Sequence, residues 1–379
     1  MTTQMKRFLL PAAPAALALL VILGLNVLPG KSPASQTDKD FALVRSVANL
    51  IKNDYVEDRD PELTMAGAYR GLVNGLDPLS AYLDKSALAV YDADRRGRLN
   101  QTGIILYKKY NLFPQVVSVV EGSPAEKSGI KPGDTLSAID DRSTLAMSLL
   151  EARLALKSAE DKPVRVRVLK ETETKDVVVE RKAPSGEPVR WSDGNGGPAI
   201  LSLATVDGAA AYLRGSLAKR LKTAQGPLVL DLRQCAEGSV SEAVKLVNVF
   251  LRADNAGAFE KRDGALENLS CPETPPAETV PLVVWTGPAT MGAAEAAAGL
   301  LQESKRARVV GFETVGLASR QDLFRLDDGS GVLMTSGLYV LPSGRKLWDK
   351  GVVPDLPIEP AKRDTASYLK KTQELVPKL

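Results

Sequence analysis

The chain has 379 residues, with 49 Lys and Arg against 46 Asp and Glu, a formal net charge of +3, and no histidine. That length exceeds one ordinary domain and predicts two or three folded units. The small, unclustered charge argues against a nucleic-acid partner. Without histidine there can be no Ser-His-Asp or Cys-His site and no histidine-dependent metal site, and no cofactor or metal is expected.

Lys6 and Arg7 precede an apolar run from Phe8 to Leu28 that Pro11 and Pro14 interrupt. Its clean part, Ala15 to Leu28, has the length of a signal-peptide apolar region, with Ser32 and Ala34 suiting the small-residue positions of a cleavage site. The whole run is also long enough to span a bilayer. Residues 1–35 are therefore expected to be a signal peptide or an N-terminal membrane anchor, with export to an oxidising compartment. There Cys235 and Cys271 could form one disulfide.

Pro29 to Asp40 is a polar linker. Phe41, Val44, Val47, Leu50 and Ile51 then fall on one helical face, and a second helix is predicted from Met65 to Asn74, ending at Gly75. Residues 41–97 form a small helical region on this reading, suited to packing or dimerisation. Val116 to Ile139 reads strand, short helix, strand. Ser123-Pro124 suits a helix N-cap followed by proline, and Gly129 suits a left-handed stop. Ser148 to Leu156 is predicted as a longer helix, and Val164 to Leu169 alternates as a half-exposed strand should.

These features, spread over Gly103 to Arg181, resemble a PDZ domain, placed at 98–183: β-rich, with two helices. The resemblance implies peptide capture by strand addition, with a carboxylate-binding loop at Gly103, Ile104 and Ile105. Ile105 stands where that loop commonly has a second glycine, which narrows the space for a terminal carboxylate.

Lys182 to Gly197 reads as a linker. Strands at Pro227–Leu232, Leu282–Trp285, Val332–Tyr339 and Val352–Ile358 alternate with helices at Ser241–Leu251 and from Ala293 onward, so the fold class is α/β and multi-domain. Residues 361–379 read as a charged tail.

Pro281 to Ser319 (PLVVWTGPATMGAAEAAAGLLQESKRARVVGFETVGLAS) resembles the core of the carboxyl-terminal processing, or tail-specific, serine proteases. Gly75 to Asp84 (GLDPLSAYLD) resembles that family's LDPHSSYLD motif, with Leu79 at its histidine, and Thr335 to Glu359 adds a third match. The resemblance implies a ClpP/crotonase-like α/β core over 184–360, a bacterial-type periplasm or cell-envelope location, and peptide or unstructured protein segments as partners.

It also places the nucleophile position at Gly292, the base position at Leu317, and a third polar position at Glu303. Around them Glu295, Ala298, Gly299, Gln302, Arg306, Ala307, Gly311, Thr314 and Gly316 stay in register. Asp231 to Gly238 (DLRQCAEG) aligns with the oxyanion loop DLRxNPGG, with Glu237 at the first glycine and Gly238 at the second.

A serine hydroxyl needs a base to take its proton, and a buried lysine of lowered pKa supplies one. Glycine and leucine supply neither. The chain is therefore read as a catalytically inactive member of the family that binds peptides or regulates an active relative, with self-association another option. The alternative is an active serine-type peptidase with a relocated nucleophile and base, for which Ser304 and Ser319 are the nearest serines. Thr290 and Cys235 are weaker candidates, the latter needing Lys305, Arg306 or Arg320 to lower its pKa.

Overall fold

The computed structural model describes residues 36–375 apart from 98, 110, 171–172, 184–188, 194–196, 222–225 and 361. The expected export segment, 1–35, lies outside the described residues, as does part of the expected linker. Among the described residues no helix is long and apolar enough to cross a membrane. The chain divides into two compact units, residues 1–65 and 66–379.

In the first unit the helix foreseen from Phe41 is α1 (Gln36–Asp54), extended at its N-terminal end. Phe41, Val44, Val47 and Leu50 are all exposed. The apolar face that the periodicity marks is thus real but uncovered in the monomer. The next helix, α2 (Pro61–Asn74), starts at a proline, whose missing N–H costs nothing in a first helical turn.

The second unit contains three sheets. Residues 81–83, assigned on sequence to the helical region, instead form β1 (Ala81–Leu83), which pairs with β16 (Gly331–Val340). Both flanks of β1 are fastened. Asp77 accepts from Leu79 N–H and Ser80 N–H, both at 2.8 Å, and Asp84 N-caps α3 (Lys85–Asp94) through Ala87 N–H at 2.9 Å. Arg70 of α2 then bridges Asp84 at 2.6 Å and Glu151 at 2.8 Å.

The PDZ-type domain follows as an antiparallel sheet in the order β2-β3-β4-β6-β7, with β5 on β4. Its strands are β2 (Ile104–Tyr107), β3 (Gln115–Val119), β4 (Thr135–Ile139), β5 (Arg142–Ser143), β6 (Val164–Lys170) and β7 (Glu173–Val179). The short helix α4 (Pro124–Lys127) is capped by Ser123, as foreseen. The longer helix α5 (Leu149–Ala155) opens with a capping box between Ser148 and Glu151. Leu106, Val116, Leu136, Ile139, Leu149, Val164 and Val166 form the domain core. Alternate residues of β6 point inward, which is why its charged residues fall on the other face.

The α/β core is a six-stranded sheet in the order β17-β14-β13-β10-β9-β8. The five strands β9 (Ala199–Leu203), β10 (Leu228–Asp231), β13 (Leu282–Thr286), β14 (Arg308–Gly311) and β17 (Leu356–Pro357) are parallel. The edge strand β8 (Val189–Asp193) is antiparallel. Parallel strands covered on both faces should read as unbroken apolar runs, and β10 and β13 do. On one face Leu228, Leu230, Leu282 and Val284 pack with α6 (Ala209–Leu221), α7 (Val240–Val247) and α8 (Ala293–Glu303).

On the other face Val229, Val283 and Trp285 meet Tyr368 and Leu375. Those two belong to α9 (Thr365–Leu375), so the segment read as a charged tail is a core helix over most of its length. Trp285 Nε1–H donates to Thr372 Oγ1 and the Tyr368 hydroxyl donates to Thr286 O, at 2.8 and 2.7 Å. Composition hid this helix because its charged residues face water while three side chains, Tyr368, Thr372 and Leu375, carry the docking. The third sheet joins β1, β16, β11 (Ala258–Glu260), β12 (Leu266–Asn268) and β15 (Ser319–Arg325), all antiparallel.

Candidate active site

The chain leaves β13, turns at Gly287–Met291 and enters α8 at Gly292. Gly292 holds φ 57° and ψ −109°, a conformation that strains any L side chain. Such a sharp strand-to-helix turn is the kind that presents a nucleophile in other hydrolases. A Cβ built on Gly292 would meet only Leu317 O, at 3.7 Å. The nucleophile and base positions of the sequence reading are therefore neighbours in space, and the position has room for a side chain that it does not carry. Leu317 is buried.

Glu295 holds this junction together. Its carboxylate is fully buried and accepts from three backbone N–H groups: Gly292 at 2.7 Å, Gly316 at 2.6 Å and Leu317 at 2.7 Å. Burial pushes its pKa up, against the lowering effect of these bonds and of the Thr314 hydroxyl. In the sequence Glu295 served only to set the register; the spacing gives no sign that one carboxylate ties both positions.

The other register residues are structural for the same reason. Gln302 Nε2–H donates to Val353 O at 2.8 Å. Arg306 donates to the carbonyls of Phe250, Ala277 and Val280 at 2.6–2.8 Å. Thr314 Oγ1 accepts from Val352 N–H at 2.9 Å. These bonds hold loops against α8 whatever stands at 292 and 317. Glu303, the third polar position, sits at the far end of α8. It accepts from Ser343 N–H at 2.9 Å and Ser343 Oγ–H at 2.8 Å, closing the turn between Leu341 and Arg345, and is not near Gly292 along the helix.

The loop after β10 is anchored on both sides. Cys235 O accepts from Met291 N–H at 3.1 Å. Glu237 O accepts from Thr205 Oγ1–H at 3.2 Å and from Val206 N–H at 3.3 Å. The left-handed turn is taken by Gly238 (φ 115°), not by Glu237. The Glu237 carboxylate is not an unpaired charge in the loop: it accepts from Lys157 Nζ at 2.7 Å. Desolvation raises its pKa, but Lys157 and Arg153 outweigh that and hold it below the usual carboxylate range.

Cys235 and Cys271 are both buried and free, so the one disulfide that the sequence allows is not formed. Cys235 lies in the loop after β10, whereas Cys271 pairs its backbone with Ala253 and turns its thiol toward Leu251 O at 3.7 Å. Burial, then the nearby Glu237, Asp207 and Asp231, push the Cys235 thiol far up, the opposite of a reactive cysteine. Two of its three named activators are engaged elsewhere, Arg306 on carbonyls and Arg320 on Glu267 at 3.0 Å, and Lys305 is exposed whereas Cys235 is buried.

Two of the remaining candidates are also committed. Thr290 Oγ1–H donates to Leu232 O at 2.7 Å and the oxygen accepts from Gly287 N–H. Ser319 Oγ–H donates to Leu317 O at 3.0 Å and accepts from Gln321 Nε2–H at 2.7 Å. Ser304 is the exposed C-cap of α8. Among the described residues no group of His, Cys, Asp or Glu could hold a metal ion.

In the PDZ-type domain, Gly103 packs so tightly that a Cβ would stand 2.3 Å from Ser123 Cβ. Ile104 N–H donates to Thr102 Oγ1 at 3.3 Å, and Leu106 O accepts from Arg153 Nη2–H at 3.2 Å. Two backbone groups of the expected peptide edge are thus bonded to the chain's own side chains. Ile104 and Ile105 are half-buried on β2.

Residues 199–358 match peptidase family S41, and residues 115–170 match the PDZ domain. The carboxy-terminal processing protease CtpA of Bacillus subtilis (strain 168) is 28% identical over 367 residues, covering 95% of this chain and 78% of that protein. A protein named "Probable CtpA-like serine protease" from Staphylococcus aureus (strain COL) is 26% identical over 346 residues, covering 90% and 70%. The solved structure of a photosystem II D1 C-terminal processing protease shares the fold at a TM-score of 0.69 with 24% identity, over 87% of this chain and 90% of that one. With a PDZ domain and a peptidase S41 core in one chain, this protein is similar to the C-terminal processing proteases over most of its length.

Proposed function

We propose that this protein binds extended polypeptide segments without cutting them, and works in the bacterial cell envelope. The observation that carries the reading is the adjoining pair Gly292 and Leu317, where a turn fit to present a nucleophile carries no hydroxyl and the neighbouring position carries no amine. Acyl transfer by a serine–lysine pair needs both. The bonds of Glu295, Gln302, Arg306 and Thr314 keep the backbone around them in place without a dyad. The apolar run at 8–28, after Lys6 and Arg7, supports the envelope location.

The experiment uses the full chain. Fluorophosphonate labelling followed by mass spectrometry is expected to modify no serine, and unstructured polypeptides are expected to be retained intact on the immobilised protein. Labelling at one serine, with turnover that follows the protein through purification, would establish the relocated-nucleophile reading instead. Failure to retain any polypeptide would remove the binding role while leaving inertness standing.

A further inference from the structure

One amine is shared between the PDZ-type domain, the α/β core and α3. Lys157, just past the end of α5, is nearly buried, with a side chain 9% exposed. Its Nζ donates to Glu237 Oε1 at 2.7 Å and to both Asp94 carboxylate oxygens, at 3.0 and 2.8 Å. Asp94 ends α3, and Glu237 lies in the loop after β10. Burial works against the ammonium, yet Glu237 and Asp94 together raise its pKa.

Two further contacts flank this one. Arg153 of α5 bonds Leu106 O on β2 and reaches Met291 Sδ at 3.3 Å, beside Gly292. Gln234 Nε2–H donates to Val119 O on β3 at 2.9 Å. The groove helix α5 and strand β3 are therefore fastened to residues 234–237 and 291 of the core, and β2 is tied to α5 through Arg153.

We propose that Glu237 is the core half of a clasp that fixes the PDZ groove helix on the loop after β10, and that opening the groove away from the core requires breaking the Glu237–Lys157 pair. Glycine at this position, as in the oxyanion-loop pattern the sequence resembles, offers no carboxylate to Lys157. The substitution thus adds a contact rather than only removing backbone freedom. The geometry suits a removable clasp. Loss of Glu237 leaves Lys157 paired with Asp94, so no buried charge is stranded. The Glu237 backbone stays tied to Thr205 and Val206, so the loop remains anchored when the side chain is gone. The clasp stands whether or not the cleft hydrolyses anything.

Hydrogen-exchange mass spectrometry on the full chain tests it, comparing the native protein with Glu237→Gln and Glu237→Gly. Both variants should speed exchange about tenfold or more in α5 and β2, which share no backbone with position 237, while β13 keeps its native rate and reports that the core is folded. Lys157→Met should reproduce the effect, and adding Glu237→Gln to it should change α5 and β2 little further. Native rates in α5 and β2 of the Glu237→Gln protein would overturn the proposal. Faster exchange confined to residues 232–240 of Glu237→Gly would overturn it too, as mere loop loosening.

Discussion

At Gly292 the backbone keeps a strained hydrolase-type turn, and glycine is the residue that adopts it without a steric penalty. Gly292→Ser is therefore expected to fold but to lose ~1–3 kcal/mol in urea denaturation, since space is free and only the backbone objects. Leu317→Lys should cost about 2–4 kcal/mol, because its ammonium would be desolvated at a buried position. The loss should shrink as pH rises and the amine becomes neutral. Glu295→Gln is expected to cost about 1–3 kcal/mol by the same measurement. The amide keeps one oxygen but turns an NH2 toward N–H donors that the carboxylate now satisfies. Placing 292 and 317 was possible from spacing alone. Naming Glu295 as the tie between them was not, because three N–H groups converge on it only after two separate loops have folded.

Among the elements, β2 of the PDZ-type domain ends in a buried cation. Lys108 Nζ donates to Leu112 O, Thr144 O and Leu145 O at 2.6–2.8 Å, and burial pushes its pKa down to about 8 from 10.5. A folded-state pKa below the unfolded one means the native state binds fewer protons. The associated stability is full above the unfolded value and is lost as pH falls through about 8. The native protein should therefore gain stability over Lys108→Met between about pH 7 and about pH 9, as read by the difference in denaturation midpoints. Equal pH slopes for the two proteins would contradict this. The helix α9 yields a packing prediction. The Tyr368 ring packs tilted against Trp285 at 5.2 Å and its hydroxyl bonds Thr286 O, so Tyr368→Ala should cost about 3–5 kcal/mol in thermal denaturation. A truly unstructured tail would show no change.

For the molecule as a whole, the domain order and the α/β class were readable because each rests on local pattern. The unbroken apolar runs of β10 and β13, the capping residues Ser123 and Ser148, and the Glu295 register are all short-range signals. Three things were decided only by tertiary structure. Residues 81–83 became a strand because β16, some 250 positions later, offers an edge to pair with. Residues 365–375 became a core helix because Trp285 and Val283 present an apolar face that only docking covers. Glu237, which reads as a damaged glycine in its own segment, found Lys157 and became a domain contact. Local propensity and spacing say which backbone a segment prefers and which chemical groups it lacks. They cannot say what stands opposite, because pairing, burial and the partner of a charge are properties of residues far apart in the chain.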